Sequence, residues 1–166
     1  QRLVQVVAHT AQQVGLDTTG AHQIKFTNNA VLALPAAAAV IRIPGSTTVR
    51  HRVPAVLAAA RLFADHDIPA VRLWPDLDQP LRVDGHLVTL WQLTPSGGPP
   101  PTPADLAQIL RTIHTINHPL PEAIPRWHLP AGIRRRILDA DGIEADTLTY
   151  LHAELTDLET ALTGLD

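Results

Sequence analysis

Nine histidines are spread along the chain, and they are the side chains whose chemistry first suggests a metal site. They are His9, His22, His51, His66, His86, His114, His118, His128 and His152. No pair forms a His-Glu-x-x-His pattern, and the absence of cysteine excludes thiolate ligands. His114 and His118 are four residues apart, but Pro119 places His118 outside the preceding helix. We therefore predict that these histidines hold no metal.

Three consecutive arginines, Arg134 to Arg136, are the second group that could do chemistry, by binding phosphate or nucleic acid. A basic run this short on a helix is typical of a solvated face. The chain as a whole carries a net charge of −3, whereas general nucleic-acid binders are usually basic. We predict no nucleic-acid partner.

The composition is that of a folded domain, with 166 residues of which 45% are apolar and 17% charged. No apolar run reaches the length of a membrane span, and no segment has the pattern of a signal peptide. Alanine, proline and arginine are abundant, whereas Lys25 is the single lysine, which suggests a GC-rich genome. We expect a cytoplasmic bacterial protein that does not contact a membrane.

The first part of the chain alternates between helical and strand-like patterns. A helix is predicted over residues 1–14, with Gly15 as its stop signal. Strand-like runs are predicted at residues 22–26, 30–34, 39–43, 70–74, 80–83 and 86–93, and a helix at 49–66. Pro54 indicates that this second helix either is kinked or begins properly near Val53. Asp84-Gly85 predicts a tight hairpin turn.

A proline- and glycine-rich stretch, residues 95–101, separates this part from a helical part, residues 102–166. Thr102 is the predicted cap of the first helix there, with Pro103 and Asp105 in its first turn. Its predicted buried stripe consists of Leu106, Ile109, Leu110, Ile113 and Ile116. Two more helices are predicted at 131–140 and 146–165. The order of elements predicts an α+β fold with the helices gathered at the end.

Five segments of sequence resemble the aminoglycoside phosphotransferase family, which is related to choline kinases. They are HQIKFTNNAVLAL at 22–34, VIRI at 40–43, ARLFADH at 60–66, IPAVRL at 68–73 and TPADLAQILRTIH at 102–114. The resemblance implies a protein-kinase-like small lobe, a five-stranded antiparallel sheet with a helix, over residues 1–94. A hinge at 95–101 and the start of a helical lobe would follow. Members of this family transfer the γ-phosphate of ATP or GTP, with Mg²⁺, to a hydroxyl of a small molecule.

Site residues follow from this resemblance position by position. Arg42 matches the cation of the third strand that faces the nucleotide phosphates. The alternative is an ordinary outward-facing strand residue. Asn28 and Asn29 match the turn that covers the phosphates, and the alternative there is a plain hairpin turn. The segment from Gln92 through Leu93 to Thr94 matches the hinge, whose backbone binds the adenine. Candidate aliphatic contacts to the base are Ile24, Val31, Val40 and Leu90.

Two features depart from a working kinase of this family. No acidic residue lies between Arg42 and Asp65, so the helix lacks the glutamate that would pair with the cation. The His-Gly-Asp catalytic loop and the later metal-binding aspartate are also missing, so we expect them beyond Asp166. No catalytic residue is predicted within this chain. The alternative is a non-catalytic module that self-associates or pairs with a partner through the leucine-rich helix at 146–165.

Overall fold

A five-stranded antiparallel sheet organises the first half of the chain, with the strand order β1-β2-β3-β5-β4. The computed structural model describes residues 2–95, 97–117, 119–125 and 129–163. The strands are β1 (His22–Phe26), β2 (Asn29–Leu34), β3 (Ala39–Pro44), β4 (Leu81–Val83) and β5 (His86–Gln92). The helices are α1 (Arg2–Val14), α2 (Thr47–His51), α3 (Val53–Asp65), α4 (Pro103–His114), α5 (Leu129–Leu138) and α6 (Ala145–Thr163). The predicted α+β class and antiparallel sheet are confirmed.

The core lies between α1 and one face of the sheet. Side chains alternate between the two faces of a strand, so every second residue of β3, Ala39, Ile41 and Ile43, points to this side. These residues are fully or almost fully buried together with Val6 of α1 and Leu90 of β5. The opposite face of β1, β2 and β3 is therefore not covered by α1.

Two predicted turn signals are confirmed by backbone geometry. Gly15 follows α1 with a φ of +74°, and the N–H of Leu16 donates to the carbonyl of Ala11. Asp84 and Gly85 both have positive φ, +50° and +78°, which matches the twist of the β4–β5 hairpin.

The predicted strand at residues 70–74 is wrong, because only an isolated bridge between Leu73 and Trp91 forms there. The reason is the buried side chain of Gln79, whose Oε1 accepts a hydrogen bond from the Leu90 N–H at 2.7 Å. Its Nε2 donates to the Trp74 carbonyl at 3.4 Å. The Gln79 amide thus lies between the Trp74 carbonyl and the Leu90 N–H, which would bond directly to each other if the ladder continued.

The predicted helix at 49–66 is divided at Arg52 into α2 and α3. Pro54 lies in the first turn of α3, where its missing N–H costs no hydrogen bond. Ser46 caps α2 by accepting a hydrogen bond from the N–H of Val49. The prediction that the helix proper begins near Val53 is confirmed by α3, and the short helix α2 precedes it.

The predicted cap of α4 is confirmed, but its predicted buried stripe is wrong. Thr102 and Asp105 form a capping box, with each side chain accepting from the backbone N–H of the other residue. No residue of α4 is buried, and Leu106 and Leu110 are 58% and 43% exposed. Within the described ranges, no element packs closely enough over this helix face to bury it.

The last two helices pack against each other. Arg134 on α5 forms an ion pair with Glu159 on α6, and Leu155 of α6 is buried. His118, Trp127 and Leu165 fall outside the described residues. Among the helices that are described, none is long and apolar enough to cross a membrane.

Candidate functional site

A cleft of about 450 Å³ lies over the face of the sheet opposite α1. It is lined by Ile24, Lys25, Thr27, Asn29, Val31, Val40, Arg42, Val71, Trp91, Gln92, Leu93 and Thr94. The strand register explains this set. Val31 pairs with Arg42, Ala33 pairs with Val40, and Val40 pairs with Trp91, so their side chains share this face. The cleft therefore runs across four neighbouring strands, β1, β2, β3 and β5, to the segment after β5.

The floor of the cleft is fixed by a hydrogen bond within β5. The Nε1–H of Trp91 donates to Oγ1 of Thr89 at 2.9 Å, and both residues are buried. These residues pair with Val40 and Arg42 on β3, so Trp91 lies beside Val40 on the β5 side of the cleft. A rigid aromatic floor of this kind suits a planar apolar ligand group.

One end of the cleft is apolar and adjoins the segment that leaves β5. Val40 and Val71 lie there, close to Leu93. The Leu93 N–H donates to the Ala38 carbonyl at 2.8 Å. Within the described chain, the Leu93 carbonyl and the Thr94 N–H make no hydrogen bond. An acceptor and a donor are thus available beside the apolar end.

The other end is cationic. Arg42 lies two residues along β3 from Val40, a displacement of about 6.6 Å. It is half-buried, and desolvation lowers the pKa of its guanidinium. In the part of the chain that the structure describes, no carboxylate lies within ion-pair distance of Arg42. Lys25 lines the same end, whereas none of the lining residues is acidic.

The turn between β1 and β2 closes this cationic end. Asn29 lines the cleft, and its Oδ1 is buried without a hydrogen-bond partner among the described residues. Asn28 does not line the cleft, and its side chain is exposed. Its carbonyl instead accepts from the Gly45 N–H at 2.9 Å, and a Cβ on Gly45 would lie 3.2 Å from that oxygen. A glycine at this position lets the loop after β3 hold the turn in place.

The predicted site residues are thus largely brought together. Asn29, Arg42, Gln92 and Leu93 line one cleft, and Asn28 lies beside it. The aliphatic candidates Ile24, Val31 and Val40 also line it. Leu90 does not line the cleft, because it is fully buried in the core on the opposite face of the sheet.

Sequence reasoning missed Lys25, Thr27, Val71 and Trp91 as lining residues. Lys25 could not be predicted as a lining residue, because a β-bulge changes the face to which its side chain points. The pairings of His22 with Ala33 and Gln23 with Leu32, continued regularly, would place Ile24 opposite Val31. The register shifts there, and Lys25 takes the place opposite Val31. Strict alternation along β1 would have put Lys25 on the other face.

The lining residues do not fit a resident divalent cation. Mg²⁺ prefers carboxylate oxygens, and the cleft offers two cations and no carboxylate. No group of three histidine, aspartate or glutamate side chains able to hold a metal occurs among the described residues. The electrostatics instead favour an anion.

Comparison of the chain with protein-family models, with curated proteins and with solved structures finds no match. The fold class and the cleft are what the structure establishes. The resemblance to aminoglycoside phosphotransferases stays a hypothesis.

Proposed function

We propose that the cleft binds a nucleoside triphosphate, ATP or GTP, as part of a phosphotransferase that acts on a hydroxyl of a small molecule. The observation that carries this proposal is the polarity gradient of the cleft. An apolar end with free backbone hydrogen-bonding groups changes, within one strand's length, to a cationic end without carboxylates. A nucleotide has the same gradient, from a flat base to a polyanionic phosphate chain.

The polarity gradient defines the orientation of the nucleotide in the cleft. The base lies over Val40, with its polar edge toward the Leu93 carbonyl and the Thr94 N–H. The phosphates lie toward Arg42, which no protein carboxylate neutralises in the described structure. A phosphate oxygen would give this half-buried guanidinium the charge-assisted hydrogen bonds that it lacks.

Phosphoryl transfer depends mainly on positioning and on charge stabilisation. The cleft supplies cations for both purposes, and none of its lining residues is an acid or a histidine that could remove a proton. We propose that the base and the Mg²⁺ ligands lie outside this cleft. The site described above then corresponds to the nucleotide-binding part of a kinase-like small lobe.

Titration calorimetry with ATP and GTP tests this proposal on the intact chain. Arg42→Ala should weaken triphosphate binding by about tenfold or more, because hydrogen bonds to a charged group contribute about 1.5–3 kcal/mol. Arg82→Ala is the matched control, since Arg82 is an exposed strand arginine outside the cleft. No measurable binding by the wild-type chain, or equal losses in both variants, would contradict the proposal.

The alternative, a module that self-associates through residues 146–165, has support of its own. Leu158 and Leu162 of α6 are 51% and 42% exposed, although Leu155 on the same helix is buried. An exposed apolar stripe of this kind favours association of two copies.

Light scattering over a concentration series measures this association. Leu158→Glu together with Leu162→Glu should dissociate any dimer, whereas Thr156→Glu on an exposed position of the same helix should not. A wild-type chain that stays monomeric throughout the series would remove this alternative.

A further inference from the structure

The β-bulge in β1 places Lys25, the only lysine of the chain, on the face of the sheet that carries Arg42. Lys25 is the cross-strand partner of Val31, and Val31 is the partner of Arg42. The two cations therefore stand in one row across three strands. Neighbouring strands are about 4.8 Å apart, so the two Cα atoms are separated by about 10 Å.

We propose that Lys25 and Arg42 together bind the phosphate chain of the nucleotide, so that the cleft selects nucleoside di- and triphosphates over monophosphates. This inference rests on the proposed nucleotide site and adds to it a second cation and a specificity. Two cations on either side of Val31 can both contact a chain of phosphates. A single phosphate bound at Arg42 leaves Lys25 without a partner.

The bulge itself supports phosphate binding by Lys25, because it turns this side chain from the core face of the sheet to the cleft face. A regular β1 would place Lys25 opposite Ala30, which is 4% exposed in the core, and the bulge moves it opposite Val31 instead. Bulges commonly redirect a side chain beside a functional site. Thr27 and the buried Oδ1 of Asn29 follow at the same end of the cleft, so the row of cations has polar neighbours.

Lysines on edge strands also prevent sheets from pairing with one another, and β1 is an edge strand. That function needs a charge on the edge but not on a particular face of the sheet. If Lys25 only protected the sheet edge, its substitution would leave nucleotide affinity unchanged. Measuring that affinity therefore distinguishes the two roles.

The first test compares adenosine, AMP, ADP and ATP by calorimetry on the wild-type chain, Lys25→Gln and Lys25→Arg. Lys25→Gln keeps the side-chain polarity and removes the charge. It should weaken the binding of ADP and ATP by about fivefold, as for a charge-assisted contact of an exposed lysine. Adenosine and AMP should be unaffected, and Lys25→Arg should restore the preference for ADP and ATP. Arg82→Gln controls for the general loss of one positive charge.

A second measurement does not depend on a variant. An acyl phosphate of ATP carries an acyl group on its terminal phosphate, and attack by the Lys25 Nζ forms an amide while ATP leaves. Because Lys25 is the only lysine, mass spectrometry should find this amide there, and excess ATP should prevent it. Labelling at Lys25 that ATP does not suppress would overturn the inference.

The outcomes separate this inference from the proposed function. If the wild-type chain binds no nucleotide, both fail. If it binds ATP through Arg42 but Lys25→Gln binds all four ligands as the wild type does, the nucleotide site stands and the role of Lys25 is rejected.

Discussion

The Oδ2 of Asp139, just after α5, accepts a hydrogen bond from the backbone N–H of Thr48 in the first turn of α2 at 3.3 Å. Ninety-one residues separate the two along the chain. Hydrogen bonding from Thr48 and Ser46 lowers the pKa of the Asp139 carboxyl, and the charge of Arg50 adds to this effect. The contact attaches the helical part of the chain to the loop that follows the strand of Arg42.

Asp139→Asn should lower the melting temperature at neutral pH, because the amide is a weaker acceptor than the carboxylate. The pKa is lower in the folded state, so the contribution is present above the unfolded value of about 4 and is lost as pH falls through the folded pKa. The difference in melting temperature between wild type and variant should therefore shrink below about pH 4.

Asp141→Asn provides the control, since Asp141 is an exposed carboxylate two residues further along. Thermal denaturation followed by circular dichroism between about pH 3 and about pH 7 measures both variants, because the lower limit lies below the ordinary aspartate pKa. A difference between Asp139→Asn and wild type that is constant over this range would show that the carboxylate charge is not involved.

Gln79→Leu should destabilise the fold although it replaces a buried polar side chain with an apolar one of similar size. The Leu90 N–H, fully buried in the core region, would lose its acceptor. A buried donor without a partner costs about 1–3 kcal/mol. Urea unfolding measures the loss against Gln108→Leu on the exposed surface of α4. Equal stability of the two variants would mean that the Leu90 N–H finds another acceptor.

Thr102→Ala should fray the start of α4 by removing the capping box with Asp105. The loss of an N-cap costs about 0.5–2 kcal/mol. Because α4 buries none of its residues, we expect faster amide exchange in its first turn rather than global unfolding. Thr102→Ser should retain the protection. Thr112→Ala, in the last turn of the same helix, should leave the first turn unchanged.

Arg42→Met should stabilise the chain in the absence of ligand while weakening nucleotide binding by about tenfold or more. Burial lowers the pKa of the guanidinium, which means that the charged form is disfavoured in the free cleft. Replacing the charge with an apolar side chain removes this desolvation cost. A lower melting temperature for the variant without ligand would show instead that Arg42 stabilises the free protein.

Patterns that depend on neighbouring residues could be read from the sequence because their causes are local. The Asp84-Gly85 turn, the stop at Gly15 and the Thr102 cap follow from backbone geometry and short-range hydrogen bonds. The class of fold and the bounds of β1, β2 and β3 follow from the periodicity of apolar residues. Arg42 was singled out through the resemblance to aminoglycoside phosphotransferases, whose third strand carries a cation.

Other features depended on tertiary contacts between residues that are distant in the sequence. The Gln79 side chain ends a ladder by bonding to Leu90, and the stripe of α4 lacks a covering element among the described residues. The bulge in β1 is the clearest example of such a feature, because no residue type in β1 predicts a bulge there. Register is set by the pairing of whole strands, and a shift of one residue moves a side chain to the other face. The sequence by itself determined that a cation lies on β3, and only the folded sheet decided that Lys25 joins it in one cleft.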